Sequence, residues 1–228
     1  MSLTANYTLQ FADGTGSNIN SQQALIASNQ PNLRTMIPLG ELDIRHAIKG
    51  VFNIGWEGGR DKYGKNLYNG PRISGKEVFK FTNLNLMFFA ISGAPYTPTT
   101  QPVQIGAVDR AQIKGVPFGA RLPWQFTLNG NLSKSFEINR GTGKRPLMAN
   151  AYLWVENVLN GRNIVGVYRY TGLPTDDGFL NSPQGQLAIQ RQINAQSYVD
   201  LYRALLNTQG GNYAAPRTIR LGIRFNMN

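Results

Sequence analysis

Arg217-Thr218-Ile219-Arg220-Leu221-Gly222-Ile223-Arg224-Phe225-Asn226-Met227-Asn228 closes the chain. Its reading decides the fold. Ile219, Leu221, Ile223, Phe225 and Met227 alternate without a break against Thr218, Arg220, Gly222, Arg224, Asn226 and Asn228. In an extended strand successive side chains point to opposite faces, so one face is wholly apolar and the other polar or basic. A strand that apolar on one side needs either lipid or a second sheet against it.

Five earlier segments share the period of two. Leu3, Ala5, Tyr7, Leu9 and Phe11 oppose Thr4, Asn6, Thr8 and Gln10. Leu42, Ile44, His46, Ile48, Gly50, Phe52, Ile54 and Trp56 oppose Asp43, Arg45, Lys49 and Asn53. Leu84, Leu86, Phe88 and Ala90 oppose Asn83, Asn85 and Met87. Trp124, Phe126, Leu128, Leu132 and Phe136 oppose Gln125, Thr127, Asn129, Asn131, Ser133 and Glu137. Leu147, Ala149, Ala151, Leu153 and Val155 oppose Asn150, Tyr152, Trp154 and Glu156.

Alternation alone suits a membrane barrel and a soluble sandwich equally, because both bury one face. Length separates them. These segments run about 10 to 16 residues, whereas an ordinary strand has about 5 to 6 and a tilted membrane strand about 9 to 11. The polar faces carry Asn, Gln, Thr and Ser rather than Lys and Glu, which suits a hydrated lumen. The connections 13–40, 94–121 and 159–216 are long, 140–145 is short and 58–76 is intermediate. Outer-membrane barrels put long loops outside and short turns on the periplasmic side.

The spacing of Ile189, Ile193, Tyr198, Leu201 and Leu205 predicts one short helix within 188–206, ended by Gly210-Gly211. The expected fold is therefore all-β: about six long meander strands of an antiparallel transmembrane β-barrel, with one short helix in the last long loop. One unit over 1–228 is expected.

Composition agrees. Charged residues are 15% of 228, well below the roughly 25% of a soluble domain. Mean hydropathy is nevertheless −0.30, because uncharged polar residues supply the polarity. The net charge of +11 would attract an anionic partner, but no run of five Lys/Arg occurs, and basic residues scattered over loops and strand faces account for it. The absence of cysteine excludes disulfides, thiolate zinc sites and a cysteine nucleophile. No apolar run approaches the ~18 residues of a membrane helix. The N-terminus has neither a basic n-region nor an apolar h-region and already reads as a strand. Either the chain begins inside a longer protein, or it is cytosolic.

Chemistry-bearing motifs are sparse. His46 is the sole histidine, so neither a Ser/His/Asp triad nor a histidine metal cluster can be built. Gly141-Thr142-Gly143-Lys144 lacks the first Gly and the Ser/Thr of a phosphate loop and reads as a turn. Asp176-Asp177-Gly178 reads as a turn rather than a calcium loop. No enzyme activity and no cofactor are expected.

Several stretches carry a resemblance. They are Phe11-Ala12-Asp13-Gly14-Thr15-Gly16-Ser17, Asp43-Ile44-Arg45-His46, Tyr68-Asn69-Gly70-Pro71-Arg72 and Glu156-Asn157-Val158-Leu159-Asn160. With them go Gly166-Val167-Tyr168-Arg169-Tyr170-Thr171-Gly172, Asp176-Asp177-Gly178-Phe179-Leu180 and the end from Asn212-Tyr213 through Pro216 to Gly222. In this order the chain resembles the C-terminal barrel region of Bacteroidetes-type TonB-dependent outer-membrane receptors, of the carboxypeptidase-regulatory-like domain-containing family. The resemblance implies a barrel of about 22 strands around an N-terminal plug, with this chain as its C-terminal part and the plug domain outside it. It implies residence in the cell outer membrane and transport of a ligand, whose identity it does not name. The implied partners are outer-membrane lipid, the plug and the remaining strands, TonB through the plug, and the barrel assembly machinery. A surface lipoprotein is a further candidate; nucleic acid is not expected. Arg220, Gly222, Phe225 and Met227 fit the assembly signal that such machinery reads, although the chain ends in Met-Asn where that pattern has an aromatic residue.

On that reading Arg45, Lys49, Arg220 and Arg224 give the lumen wall a positive bias, and Tyr152 and Trp154 face the same side. Trp154 could meet a ligand or pack against the plug, while Trp124 belongs to an aromatic girdle. The rival readings are a soluble β-sandwich binding carbohydrate or protein, and a basic nucleic-acid-binding β-domain.

Overall fold

A computed structural model describes residues 1–14, 37–56, 58, 68–107, 111–138, 147–209 and 211–226. Six long strands dominate it: β1 (Ser2–Leu9), β2 (His46–Trp56), β3 (Thr82–Ile91), β4 (Gln125–Ile138), β5 (Leu147–Glu156) and β6 (Thr218–Asn226). They form a single antiparallel meander in chain order, with β1 and β6 at the two edges. The sheet is open, because its first and last strands do not pair.

Register converts six separate alternations into one surface. Leu3 stands opposite Phe52, and Tyr7 opposite Ile48. Phe52 stands opposite Leu86, and Ile48 opposite Ala90. Across the next pairs Leu84 faces Leu132 and Phe88 faces Leu128. Leu132 then faces Leu153, and Leu153, Ala151 and Ala149 face Leu221, Ile223 and Phe225. A slip of one residue in any pair would turn that strand's apolar set to the other face. Every pair keeps the same choice.

That apolar face is uncovered. Leu3 is 71% and Leu221 79% exposed, and Tyr7, Phe126, Phe136, Ile219, Ile223 and Phe225 are open as well. The two other ladders among the described residues, Asp13–Gly14 with Ile37–Pro38 and Pro95–Tyr96 with Ala120–Arg121, are two residues long each. Among the described residues no second sheet supplies the dry interior that a sandwich needs.

Antiparallel order sends the connections 10–45, 92–124 and 157–217 to one end of the sheet, and 57–81 and 139–146 to the other. The buried apolar cluster lies in the long-loop end rather than on the sheet: Phe179, Leu180, Tyr202 and Leu206 pack with Ile105, Tyr168 and Val199. Two helices frame it, α1 (Pro183–Gln190) and α2 (Ala195–Gln209). The expected single helix over 188–206 is thus corrected to two. Ser182 accepts from Gly185 N–H and Pro183 opens the first turn of α1. Asn194 Oδ1 accepts from Ser197 N–H at 3.0 Å, a cap that starts α2 afresh.

The second expected strand also shortens. Gly40–Leu42 is a 3₁₀ turn and pairing begins only at His46. Gly40 adopts φ +55 and the Asp43 carboxylate is held by other loops, so both bend the chain away from the sheet. Met227, the Gly141–Lys144 stretch, most of 13–40 and residues 59–67 of the 58–76 connection lie outside the described residues.

Candidate functional site

The polar face of the sheet carries a concavity of about 570 Å³. Asn131, Ser133 and Ser135 of β4, Met148, Asn150, Tyr152 and Trp154 of β5 and Arg224 of β6 line it. The period of two places all eight on one side. Asn150 Nδ2 donates to Ser135 Oγ at 2.9 Å. Asn85 donates to Asn53, and Asn131 stands opposite Asn85 in the same cross-strand row. Asn131 Oδ1 is buried and accepts nothing. The wall thus offers amides, hydroxyls, two aromatic rings and one guanidinium.

The six residues expected on this wall divide into four sets. Tyr152, Trp154 and Arg224 come together in the concavity. Arg220 is adjacent, opposite Trp154, but its charge is engaged: Nη1 stands 3.4 Å from Glu156 Oε1, which also accepts from Trp154 Nε1 at 3.2 Å. Lys49 lies on the same face of β2, exposed, opposite Asn6 and Phe89, well along the sheet from the concavity. Arg45 departs from expectation. It precedes β2, its guanidinium lies 5.0 Å over the Phe11 ring, and Nε stands 3.6 Å from Asp43 Oδ2. Arg45 therefore belongs to the rim where the loops leave the sheet, because the strand that would have aimed it at the wall starts one residue later.

Of the four assembly-signal residues, Gly222 acquires a local reason. Its Cβ would stand 2.7 Å from Cε1 of Tyr152, so only glycine lets the phenol lie across β6. Phe225 sits on the apolar face opposite Ala149, and Arg220 on the polar face.

The rim is stapled by residues that alternation did not single out. Asp43 is fully buried. Its carboxylate accepts from Arg121 Nη2 and, at 3.2 Å, from Ala12 N–H, while Arg121 Nη1 donates to the Asp43 carbonyl at 2.8 Å. Burial alone would raise this carboxyl's pKa. The Arg121 hydrogen bond, the Ala12 amide and the charges of Arg121 and Arg45 outweigh that and hold it below its ordinary value. Gly93 permits the crossing, since a Cβ there would collide with the Leu122 carbonyl.

Asn157 does the same work after β5. It is buried at φ +53, a conformation that Asn tolerates. Its side chain accepts from Gly161 N–H at 3.0 Å and donates to Gly161 O and Ala215 O. The Asn160 side chain accepts from Arg217 N–H at 3.1 Å, which fixes the entry to β6.

In the loop cap Tyr202 Oη donates to Asp177 Oδ2 at 2.5 Å and accepts from Ile105 N–H at 3.0 Å. Burial first, then the Asp177 carboxylate, push this phenol far above its ordinary value. Asp177 Oδ1 accepts from Phe179 N–H at 2.9 Å. Asp177 is thus consumed in folding the cap, in line with the turn expected there. Arg169 Nε donates to Thr97 O at 2.8 Å and Thr99 N–H to Arg169 O at 3.1 Å, so the second and third long loops form one body.

No metal-holding group of three or more His, Asp or Glu occurs among the described residues. Among the described residues no helix is long and apolar enough to cross a membrane, which says nothing of strands. No family model, no curated protein and no solved structure matches this chain.

Proposed function

We propose that this chain is a wall segment of an outer-membrane β-barrel that transports a ligand in the manner of a TonB-dependent receptor, with the apolar face in lipid and the polar face toward the lumen. One observation carries the reading: a six-stranded sheet presents a continuous, uncovered apolar face and an opposite face of amides, hydroxyls and aromatic rings.

The dimensions support it. On the apolar face, Trp124 stands just before β4 at the loop end, and Lys134 interrupts the apolar run ten residues on, ahead of Phe136 and Ile138. At about 3.4 Å per residue this spans ~34 Å. Tilted by 35–45°, it spans ~24–28 Å, close to the ~25 Å apolar band of a transmembrane barrel. Lys134 opposes Thr82 and Ala151, and its ammonium donates to the Val78 carbonyl, as a cation at the band's edge must find a polar partner. Both sheet edges carry unpaired backbone groups, which hydrocarbon penalises by several kcal/mol each, so further strands complete the wall. In that setting the loop cap and the concavity around Tyr152, Trp154 and Arg224 form the surfaces that meet ligand and plug.

The chain has no cysteine, so a single-cysteine scan of 218–225 in the intact polypeptide tests the reading directly. Spin labels at 219, 221, 223 and 225 should be relaxed by oxygen, and those at 218, 220, 222 and 224 by an aqueous nickel chelate. Equal aqueous access at both sets, or a monodisperse detergent-free monomer, overturns it in favour of a soluble binding module.

A further inference from the structure

The loop cap holds a hollow of its own, about 440 Å³, between α2 and the turn 175–181. Arg203, Leu206 and Asn207 line it from the helix, and Thr175, Asp176, Leu180 and Asn181 from the turn. Arg203 and Asn207 are four residues apart on α2, so their side chains leave the same face one turn apart. Leu180 and Leu206 are buried and form an apolar floor.

The lining carries one charge of each sign, and the two do not pair. Asp176 Oδ1 accepts from Gly178 N–H at 2.8 Å, while Oδ2 has no partner among the described residues. Nor do the Arg203 guanidinium and the carboxamides of Asn181 and Asn207. These three side chains are exposed to water, so convergence rather than unmet hydrogen bonding distinguishes the place. Two further carboxylates lie close in sequence, and neither lines the hollow. Asp177 faces a different one, beside Tyr168 and Tyr170, and accepts from Tyr202. Asp200, one turn before Arg203, accepts from Gln196 Nε2 at 3.0 Å.

The spacing of the two charges is built in. Asp177 and Tyr202 are the chain neighbours of Asp176 and Arg203, and the 2.5 Å bond between them is buried. This clamp sets the turn against the helix and keeps carboxylate and guanidinium on opposite walls. Gly178, at φ +76 and with a Cβ excluded by the Tyr170 ring, shapes the turn.

We infer that this hollow binds a short peptide with both ends free, its ammonium on Asp176, its carboxylate on Arg203 and its peptide bond between Asn181 and Asn207. A simple anion would also meet Asp176, and a simple cation Arg203; a zwitterion satisfies both at once. A guanidinium matches a carboxylate through paired N–H donors. A carboxamide offers a donor and an acceptor, the complement of a peptide C=O and N–H. The two leucines give an apolar side chain its contact, and the volume suits a small ligand, whose sites run about 300–1,000 Å³. Walls already clamped in place lower the ordering cost of binding. The hollow is built from loop residues alone and forms whether or not the sheet lies in lipid.

The test is calorimetric titration of the intact polypeptide with alanyl-leucine, its N-acetyl form, its C-terminal amide and free leucine. Alanyl-leucine should bind, and blocking either end should weaken it about tenfold, the worth of one charge-assisted hydrogen bond. Asp176→Asn keeps an oxygen for Gly178 N–H but loses the charge. It should weaken alanyl-leucine equally and leave the N-acetyl form unchanged. Arg203→Gln should do the same for the amide form. Hydrogen exchange of α1 and α2 checks the fold of both variants, and the blocked peptides decide the question on wild type alone. Free leucine binding as tightly as alanyl-leucine overturns the peptide in favour of a single amino acid. Sensitivity to one blocked end only overturns the zwitterion. No binding of alanyl-leucine at millimolar concentration, or binding indifferent to both ends, overturns the site and leaves the membrane reading standing.

Discussion

The Tyr152 phenol lies across Gly222 on the neighbouring strand, on the polar face of the sheet. Residue 222 is one of the alternating polar-face positions of β6, and any side chain there would displace the ring. The pair fixes where β6 sits on β5 and how the concavity around Trp154 and Arg224 is shaped.

Gly222→Ala should therefore weaken the β5–β6 junction. The overlap falls on the far end of a rotatable side chain, so the cost is about 1–2 kcal/mol rather than collapse. Tyr152→Ala removes the clash, and the double variant should recover most of the loss. A double-mutant cycle on the unfolding midpoint of the assembled protein checks this; additive effects would mean that the ring is not seated on Gly222.

Asp43 joins three segments: Ala12 after β1, its own loop and Arg121 before β4. Asp43→Asn keeps the shape but leaves Arg121 facing a neutral amide, at a cost of about 2–4 kcal/mol. The folded-state carboxyl titrates below its ordinary value of 3.8. Its stabilisation is therefore present above the unfolded pKa and is lost as pH falls through the folded one. Limited proteolysis of the 92–124 loop should accelerate in wild type only below about pH 4, and at neutral pH in Asp43→Asn. Equal cleavage of the two at pH 7 would remove the staple.

Much of this fold is legible in the sequence because the physics is local. Leu221, Leu153, Leu132 and Leu84 each announce a face within their own strand, and register then only has to keep the faces together. The ends of elements are less legible. Leu42 and Ile44 continue the alternation of β2, yet Gly40 at positive φ and the ties on Asp43 take them out of the sheet. Asn194 splits one helical pattern into two through a single side-chain cap that hydrophobic spacing does not register. Face alone identifies Tyr152, Trp154 and Arg224. The engagement of Arg220 by Glu156 and the position of Arg45 at the rim depend on long-range partners that no local window contains. Trp154, opposite Arg220, and Glu156 two residues on were the available signal for the first.

Tyr202 is 3% exposed and bridges Asp177 and Ile105. Tyr202→Phe leaves both buried groups unpaired and should destabilise the loop cap by about 1–3 kcal/mol, read as faster hydrogen exchange of α1 and α2. The folded phenol titrates above the ordinary value of 10.0, so its contribution is complete below that pH and declines as pH rises beyond it. Alkaline titration should loosen the cap of wild type above about pH 10 and loosen that of Tyr202→Phe less, the remaining dependence coming from Tyr168, which burial and Asp177 also push above its ordinary value. Identical alkaline profiles would show that the phenol is not held by Asp177.

The open edges set the last expectation. β1 is exposed along its whole length and β6 is the opposite edge, and each pairs on one side only. In water the spare N–H and C=O groups are hydrated; in hydrocarbon each costs several kcal/mol, and an edge strand carries several of them. Apolar burial cannot offset this, because lipid solvates Leu221 equally well whether or not the edges are paired. These 228 residues expressed alone and mixed with detergent or lipid should therefore give no heat-modifiable, protease-resistant band. Amides of β1 and β6 should exchange far faster than those of β3 and β4. A heat-modifiable inserted monomer would show that the edges close on each other, which the strand order of this sheet does not contain.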